Sequence, residues 1–548
     1  MKTAIKMINI ILLLSIFSCV CAKDSLQLIA TMTGEKTGDG FSVVAGIGDV
    51  NGDGYDDVLV GAPGGNYAKL YFGGSPYDTV ADLKFVCEKP ESYFGCSVDG
   101  GGDINGDGFS DIVIGARSYA IGNCPCCIAS AGKVYVYFGG AEMDTIPDLE
   151  IVVGNWDDNT GWYYNFGHSV SFAGDMNKDG YDDLIVGAPN DDYDAHGRAY
   201  IYFGGAEMDS IADVLIEGEE SADMLGWSVS DAGDVNGDGF DDVIIGAPQM
   251  LAQNNIGKSY LIYGGNEIGL THSEVFVGDT TKRAYGRWVS GLGDVNGDGF
   301  DDFGIMADDY FKVISGKTLE PLSEILEKAE WDNFQYISDC GDLNSDGYYD
   351  ILIGIADSDS LYAGKAAIYL GNTNLDTIPN YEIMGETPHY YFASSVDYAG
   401  DINNDGHKDI IIGERAYSGP YGPIGYGKVY IYSFGIIDRV EDTKNPIYRE
   451  KINLNQNYPN PFNLSTTITY DLSYPSYVVL EIFNCTGQKI KTLLSKKQEG
   501  GSYRIVWDGA DEKGISVSSG IYFYKVSLHS LGIIKNTYTQ VKKLVLLK

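Results

Sequence analysis

Asp49, Asn51, Asp53 and Asp57 occupy positions 1, 3, 5 and 9 of the run Asp-Val-Asn-Gly-Asp-Gly-Tyr-Asp-Asp, with Gly54 at position 6. Four side chains with hard oxygen donors in one tight loop suit a calcium ion, which takes about six to eight oxygens, and the Gly permits the sharp turn. Position 7, here Tyr55, supplies its main-chain carbonyl, so its side chain is expected to be free to vary. The run recurs six more times. The further candidate ligand sets are Asp103, Asn105, Asp107, Phe109 and Asp111; Asp175, Asn177, Asp179, Tyr181 and Asp183; Asp234, Asn236, Asp238, Phe240 and Asp242; Asp294, Asn296, Asp298, Phe300 and Asp302; Asp342, Asn344, Asp346, Tyr348 and Asp350; and Asp401, Asn403, Asp405, His407 and Asp409. Up to seven Ca²⁺ ions are therefore expected. Position 4 drifts to Lys178, Ser345 and Asn404, as a residue pointing outward can.

The residue after each loop decides what the loop connects. An EF-hand places a bidentate Glu at position 12 and is flanked by helices. Here position 12 is Val60, Ile114, Val186, Ile245, Ile305, Ile353 and Ile412, β-branched every time, so a buried strand follows. A metal-free Asx turn explains one such loop, because Asn, Asp and Gly favour turns. It does not explain four oxygen donors at fixed offsets seven times over.

The loops start 54, 72, 59, 60, 48 and 59 residues apart, the period of a propeller repeat. An apolar strand such as 166–170 precedes a loop, and Asp183-Leu-Ile-Val-Gly-Ala-Pro189 follows one. Next come alternating strands such as 133–140 and 198–205, then a fourth such as 148–153. Four antiparallel strands per repeat make a blade, and seven repeats make a seven-bladed β-propeller. The last repeat ends after its third strand, 428–433, whereas an unmatched strand, 26–31, precedes the first. The N-terminal strand is expected to complete the last blade and remove the open edge.

Phe94-Gly95 and Phe166-Gly167, together with Gly61-Ala62-Pro63, Gly187-Ala188-Pro189 and Gly246-Ala247-Pro248, resemble the FG-GAP repeats of integrin α subunits over roughly residues 26 to 435. The resemblance implies a calcium-binding propeller. Integrin-like propellers fill such loops in only some blades, whereas all seven are intact here. The second half of the motif degenerates at Met306-Ala307-Asp308 and Ile355-Ala356-Asp357. With the loops on one face, the long insertions Arg117 to Gly132, Gly154 to Tyr164, Asn190 to Gly197 and Glu414 to Gly427 belong to the other, where binding is expected.

The formal charge of −41 excludes nucleic acid and anionic membrane surfaces as natural partners. From residue 436 onward the balance reverses to 15 Lys and Arg against 10 Asp and Glu, which marks a boundary. Residues 1–22 read as a secretory signal peptide: Lys2 and Lys6, an apolar run, then Val20-Cys21-Ala22. No later stretch is apolar and long enough to span a bilayer. Cys124, Cys126 and Cys127 could hold a disulfide or a metal, but the cluster has no second ligand group.

After a polar linker, 436–453, short alternating strands from 454 to 548 read as a small Ig-like β-sandwich, with 478–483, 503–507 and 520–526 the clearest. Tyr458-Pro-Asn-Pro-Phe462, Gly487-Gln488, Trp507-Asp508-Gly509, Ser519-Gly-Ile-Tyr522 and the Lys542-to-Lys548 end resemble the C-terminal sorting domain of type IX secretion. That resemblance implies a didermic bacterium, the type IX machinery as a partner, and a secreted or outer-surface protein.

With leader, ring and tail subtracted, no segment remains to carry catalysis, and no catalytic residue is assigned. The chain reads as a secreted or cell-surface calcium-binding propeller acting as a binding or adhesion module, its ligand an extracellular protein or glycan. The alternatives are a polysaccharide-active hydrolase or lyase using Asp157, Asp158, Asp191, Asp192 or Asp194, and a passive surface-layer or matrix component. Gly167-His168-Ser169-Val170-Ser171 superficially matches a nucleophile elbow but aligns with Gly226-Trp227-Ser228-Val229-Ser230, so it reads as a strand repeat.

Overall fold

A computed structural model describes residues 24–120, 131–153, 165–190, 195–250, 256–270, 273–279, 283–308, 310–326, 334–355, 363–385, 390–416, 425–436, 452–472, 476–484, 488–498, 501–529 and 537–548. These residues form 35 strands, no α-helix among them. The chain divides into two units, residues 1–438 and 439–548. The expected signal peptide and most of the linker lie outside the described residues, as do Cys124, Cys126 and Cys127.

The first unit is a seven-bladed β-propeller of four-stranded antiparallel blades. The third blade shows the pattern: Ser169–Phe172, Leu184–Ala188, Arg198–Tyr202 and Val214–Glu217 pair in sequence order. Second strands such as Ile112–Ala116 and Leu184–Ala188 are buried at every residue, because both of their faces pack on neighbouring blades. That is why they read as continuous Val/Ile/Leu runs, whereas fourth strands such as Val214–Glu217 alternate buried and exposed.

The FG and GAP halves of the repeat meet between blades. A Cβ on Gly61 would collide with the Gly95 carbonyl of the next blade, and one on Gly187 with the carbonyl of Gly226. Gly95 and Gly226 themselves have φ of 81° and 82°. Two backbones therefore touch where side chains would hold the blades apart. The contact recurs at the seam, where Gly413 of the seventh blade meets Ser42 of the first.

Asp24–Thr33 completes the seventh blade. It pairs antiparallel with Lys428–Ile436, from Asp24 opposite Ile436 to Thr33 opposite Lys428, and buries Leu26, Ala30 and Met32. The expected N-terminal closure is present.

The second unit packs a three-stranded sheet (Ile452–Leu454, Thr466–Leu472, Gly501–Trp507) against a four-stranded one (Lys489–Gln498, Ser476–Asn484, Gly520–His529, Thr537–Leu546). Fully buried Trp507, Tyr470 and Tyr524 centre its core. The fold is an Ig-like β-sandwich.

Candidate metal centre and axial channel

Each Asp-Asn-Asp loop joins the first and second strands of a blade, so all seven lie on one face of the ring. In the first loop Asp49 accepts the Asp53 N–H through Oδ1 at 3.1 Å and the Gly54 N–H through Oδ2 at 2.8 Å. Asn51 Oδ1 accepts the Asp53 N–H at 2.8 Å, and Asp53 Oδ1 accepts the Tyr55 N–H at 3.0 Å. The second loop repeats this through Asp103, Asn105 and Asp107. The same bonds recur in the loops that start at Asp175, Asp234, Asp342 and Asp401.

The fifth loop departs from the set. Asn296 turns inward, is 9% exposed, and donates Nδ2 to Asp302 Oδ2 at 2.8 Å. Asp294 and Asp298 keep the common bonds.

The aspartate at position 9 serves a second purpose that spacing does not reveal. Asp57 is fully buried; its Oδ2 accepts the Val50 N–H at 2.9 Å and its Oδ1 the Gly73 N–H at 2.7 Å. Asp111, Asp183, Asp242, Asp302 and Asp350 repeat both bonds. Asp409 repeats the first, to Ile402. This carboxylate latches the loop's start to the end of the third strand.

Of two expectations about variable positions, one holds and one is corrected. Position 4 is exposed at Lys178, Ser345 and Asn404, as expected, but it carries a backbone constraint as well. It adopts a left-handed backbone in every loop, with φ of 75° at Gly52 and 62°, 58° and 53° at Lys178, Ser345 and Asn404. The position-7 side chain is not free either. A Cβ on Gly52 would strike the ring of Phe109 in the next blade, and Gly106, Gly237 and Gly297 stand likewise against Tyr181, Phe300 and Tyr348. Where Lys178 replaces the glycine, its Nζ lies 5.1 Å from the centre of the Phe240 ring.

Position 8, absent from the predicted set, ties neighbouring loops together. Asp182 Oδ2 accepts the Asp103 N–H at 2.7 Å, Asp241 that of Asp175 at 2.8 Å, and Asp301 that of Asp234 at 3.0 Å. Asp56 accepts the Asp401 N–H at 2.6 Å across the seam. The repeated Asp-Asp ending was the available signal.

The donor set fits a hard cation. Three carboxylates and an amide oxygen share each nine-residue loop, and among the described residues no Lys, Arg or His forms an ion pair with any of them. Burial pushes the Asp57 carboxyl up to about 7, and the negative charges of Asp53 and Asp49 add to the shift against the two backbone bonds. Asp242 is pushed up to about 8, by burial first. No three His, Cys, Asp or Glu side chains close around a single point among the described residues. The loops are cradles held by backbone N–H groups, with negative charge left unbalanced.

Inside the ring, the same ends of the first strands enclose an axial chamber of about 530 Å³. Asp99, Asp231, Asp339 and Asp397 line it, joined by the position-8 residues Asp182 and Asp301, and no Lys, Arg or His among the described residues does. Burial raises Asp99, Asp231 and Asp339 to about 7 and Asp397 to about 6, and the Asp397 charge lifts Asp99 and Asp339 further. Between about pH 4 and pH 6 each of the four therefore holds a proton in the folded ring that the unfolded chain, titrating near 3.8, has released. The ring is favoured at low pH, and that contribution is lost as pH rises from about 4 to about 7. At saturating calcium, the Tm of the natural chain is expected to fall between pH 5 and pH 8 relative to that of Asp231→Asn/Asp339→Asn. Parallel pH profiles for the two proteins would disprove it.

The described part of the opposite face contains none of the carboxylates weighed for catalysis. Asp157, Asp158, Asp191, Asp192 and Asp194 lie outside the described residues. From Ser169 onward the elbow-like segment is a strand, as expected: Ser169 Oγ accepts the Val229 N–H at 3.0 Å, and the His168 ring lies tilted beside that of Trp227.

Seven four-stranded blades around one axis define a β-propeller. Four segments, residues 38–77, 94–137, 166–202 and 226–262, match the FG-GAP repeat, and residues 463–532 match the FlgD Ig-like domain. The chain is similar to integrin alpha-5 of Xenopus laevis, at 31% identity over 217 residues, covering 38% of this chain and 20% of that one. It is similar also to integrin alpha-V of Gallus gallus, at 30% over 221 residues, with coverage of 38% and 20%. The chain thus spans about a fifth of the length of these relatives. A crystal structure of BBS1N in complex with ARL6DN, soaked with mercury, aligns at a TM-score of 0.44 and 9% identity over 73% of this chain and 96% of that chain.

Proposed function

We propose that this protein is a secreted or cell-surface binding module whose propeller is clamped by calcium at the seven loops. The observation that carries the reading is the belt of oxygen donors on an integrin-α-like ring: an unbalanced loop with the same donor types in each blade, four of them chained to a neighbour by a position-8 carboxylate. Asp, Asn and Asp at positions 1, 3 and 5, the position-7 carbonyl and the Asp at position 9 would hold the ion, which supplies charge neutralisation and stiffness rather than chemistry. In the fifth loop Asn296 must first release Asp302.

The remaining assignments rest on sequence. Residues 1–22 act as an export signal, 26–435 as the binding ring, 436–453 as a linker, and 454–548 as a sorting domain recognised by the type IX machinery of a didermic bacterium. The Ig-like sandwich and its match to the FlgD Ig-like domain are compatible with that role. The ligand is an extracellular protein or glycan. Among the described residues no helix is long and apolar enough to cross a membrane.

The test is retention of purified protein on glycan and matrix-protein arrays, with calcium and with a chelator, followed by chromatography of the bound polymers. Calcium-dependent retention of an unchanged polymer is expected. Cleaved products, or retention indifferent to the chelator, would overturn the reading.

A further inference from the structure

The axial channel changes character at the end opposite the calcium loops. Asp99, Ser230 and Ser338 face the chamber. Two or three residues before the chamber residues Ser230, Ser290 and Ser338 stand the polar aromatic side chains Trp227, Trp288 and Tyr336. The His168 and Trp227 rings lie 4.5 Å apart and tilted at 50°, and Trp288 stacks on Tyr336 at 4.3 Å and 26°. Two guanidinium groups join them from the ends of second strands. Arg117 lies over the Tyr93 ring at 5.2 Å, and Arg415 over the Tyr391 ring at 5.5 Å. Arg117, His168, Tyr336 and Arg415, from the second, third, sixth and seventh blades, share one electrostatic neighbourhood. Tyr336 is raised by burial against the pull of both Arg415 and Arg117, and His168 is held at about 3 by burial with Arg117 adding to the effect.

Two independent observations show what is missing from this mouth. The Trp227 and Trp288 indole N–H groups and the Arg287 Nε–H are buried without an acceptor. Buried donors are almost always satisfied, so the two indoles, on the adjacent fourth and fifth blades, call for an acceptor. The second observation is charge. In a chain of formal charge −41, Arg117 and Arg415 form no ion pair among the described residues, although Arg287 has Asp308 at 2.7 Å. A mouth rich in donors and in cations, on a protein otherwise so acidic, is complementary to an anion.

We propose that this axial mouth binds an anionic sugar, a pyranose bearing a carboxylate or a sulfate. Arg117 and Arg415 take the anion, the two indole N–H groups donate to its oxygens, and the Trp288 and Tyr336 rings pack on the sugar's C–H face. An acidic peptide would satisfy the arginines but leave the aromatic planes without a flat partner. The inference deepens the binding-module reading and rests on it.

The test is titration of the full chain in calcium-containing buffer with oligogalacturonate, sulfated dextran oligosaccharide, neutral dextran and oligoglutamate, followed by tryptophan fluorescence and calorimetry. Saturable binding of at least one anionic sugar is expected, with no binding of neutral dextran, and the tighter of the two identifies the anion. Arg117→Gln/Arg415→Gln should weaken it at least tenfold. Trp227→Phe/Trp288→Phe, which keeps the rings and removes the donors, should weaken it several-fold. If the arginine pair proves necessary for folding, the tryptophan pair and the loss of affinity with added salt decide the matter. Failure of both anionic sugars to bind, equal binding of oligoglutamate, or affinity unmoved by the variants overturns the proposal. Array retention of another polymer alongside any of these results would leave the binding-module reading standing.

Discussion

Chelation of calcium is expected to lower the unfolding midpoint of the ring by on the order of 20 °C. A ligand at a hundredfold excess over its Kd stabilises a site by about 2.7 kcal/mol. Unfolding entropy of about 2.1 cal/mol/K per residue makes 1 kcal/mol equivalent to roughly 1 °C in a ring of about 400 residues, so seven filled sites give the stated shift. The cause lies in charge: each loop gathers three carboxylates without a paired cation, and position 8 binds each of several loops to the next, so repulsion in one strains its neighbour. Scanning calorimetry with calcium and with EDTA measures the effect. An unchanged Tm would show that the loops are Asx turns stabilised by their own N–H groups.

Single substitutions separate the two jobs of the loop. Asp53 accepts a local backbone bond and is exposed, so Asp53→Asn should lower stability only when calcium is present. Asp57 closes the latch to Val50 and Gly73, so Asp57→Ala should destabilise the ring with or without metal, by roughly 1–3 kcal/mol for the buried N–H groups it leaves unpaired.

What was legible in the sequence is what repeats. Seven copies of Asp-x-Asn-x-Asp-Gly-x-x-Asp with a β-branched residue at position 12 lead to strands, blades and a ring without further information, because each copy carries its own turn chemistry and its own buried strand. Contacts between copies were less visible. Phe109 looks unconstrained within its own loop, and its constraint appears only when Gly52 of the preceding blade is placed against it. Asp182 belongs by sequence to the third loop but satisfies the N–H of Asp103 in the second. The axial chamber was hidden for the opposite reason. Asp99, Asp231, Asp339 and Asp397 sit at two different offsets from their loops in four of the seven repeats, so no period exposes them, and they meet only when the ring closes. Trp227 and Trp288 likewise belong to different blades and become neighbours of one axis only in the folded ring.

Closure itself supports the other large prediction. A chain beginning at Gly34 is expected to lose its cooperative unfolding transition and to aggregate, even in saturating calcium. Without Asp24–Thr33 the seventh blade keeps three strands, and Lys428–Ile436 becomes a bare edge of nine residues, the kind of edge that recruits strands from other chains. The burial of Leu26 and Met32 is lost as well, at about 1.5–3 kcal/mol each. More is at stake than those two side chains. Leu26 packs in the cluster shared by the sixth and seventh blades, and Met32 in the cluster shared by the seventh and first, so this one strand seals the ring on both sides of the seam. Because the missing piece is one outer strand that pairs only with Lys428–Ile436, a synthetic peptide of residues 24–33 added during refolding should restore a monomeric, cooperatively melting ring. Leu26→Asp in the full chain should reproduce the defect in milder form. A shortened chain that stays monomeric and melts at the natural temperature would mean that the Gly413–Ser42 contact and the Asp56–Asp401 bond suffice to close the propeller.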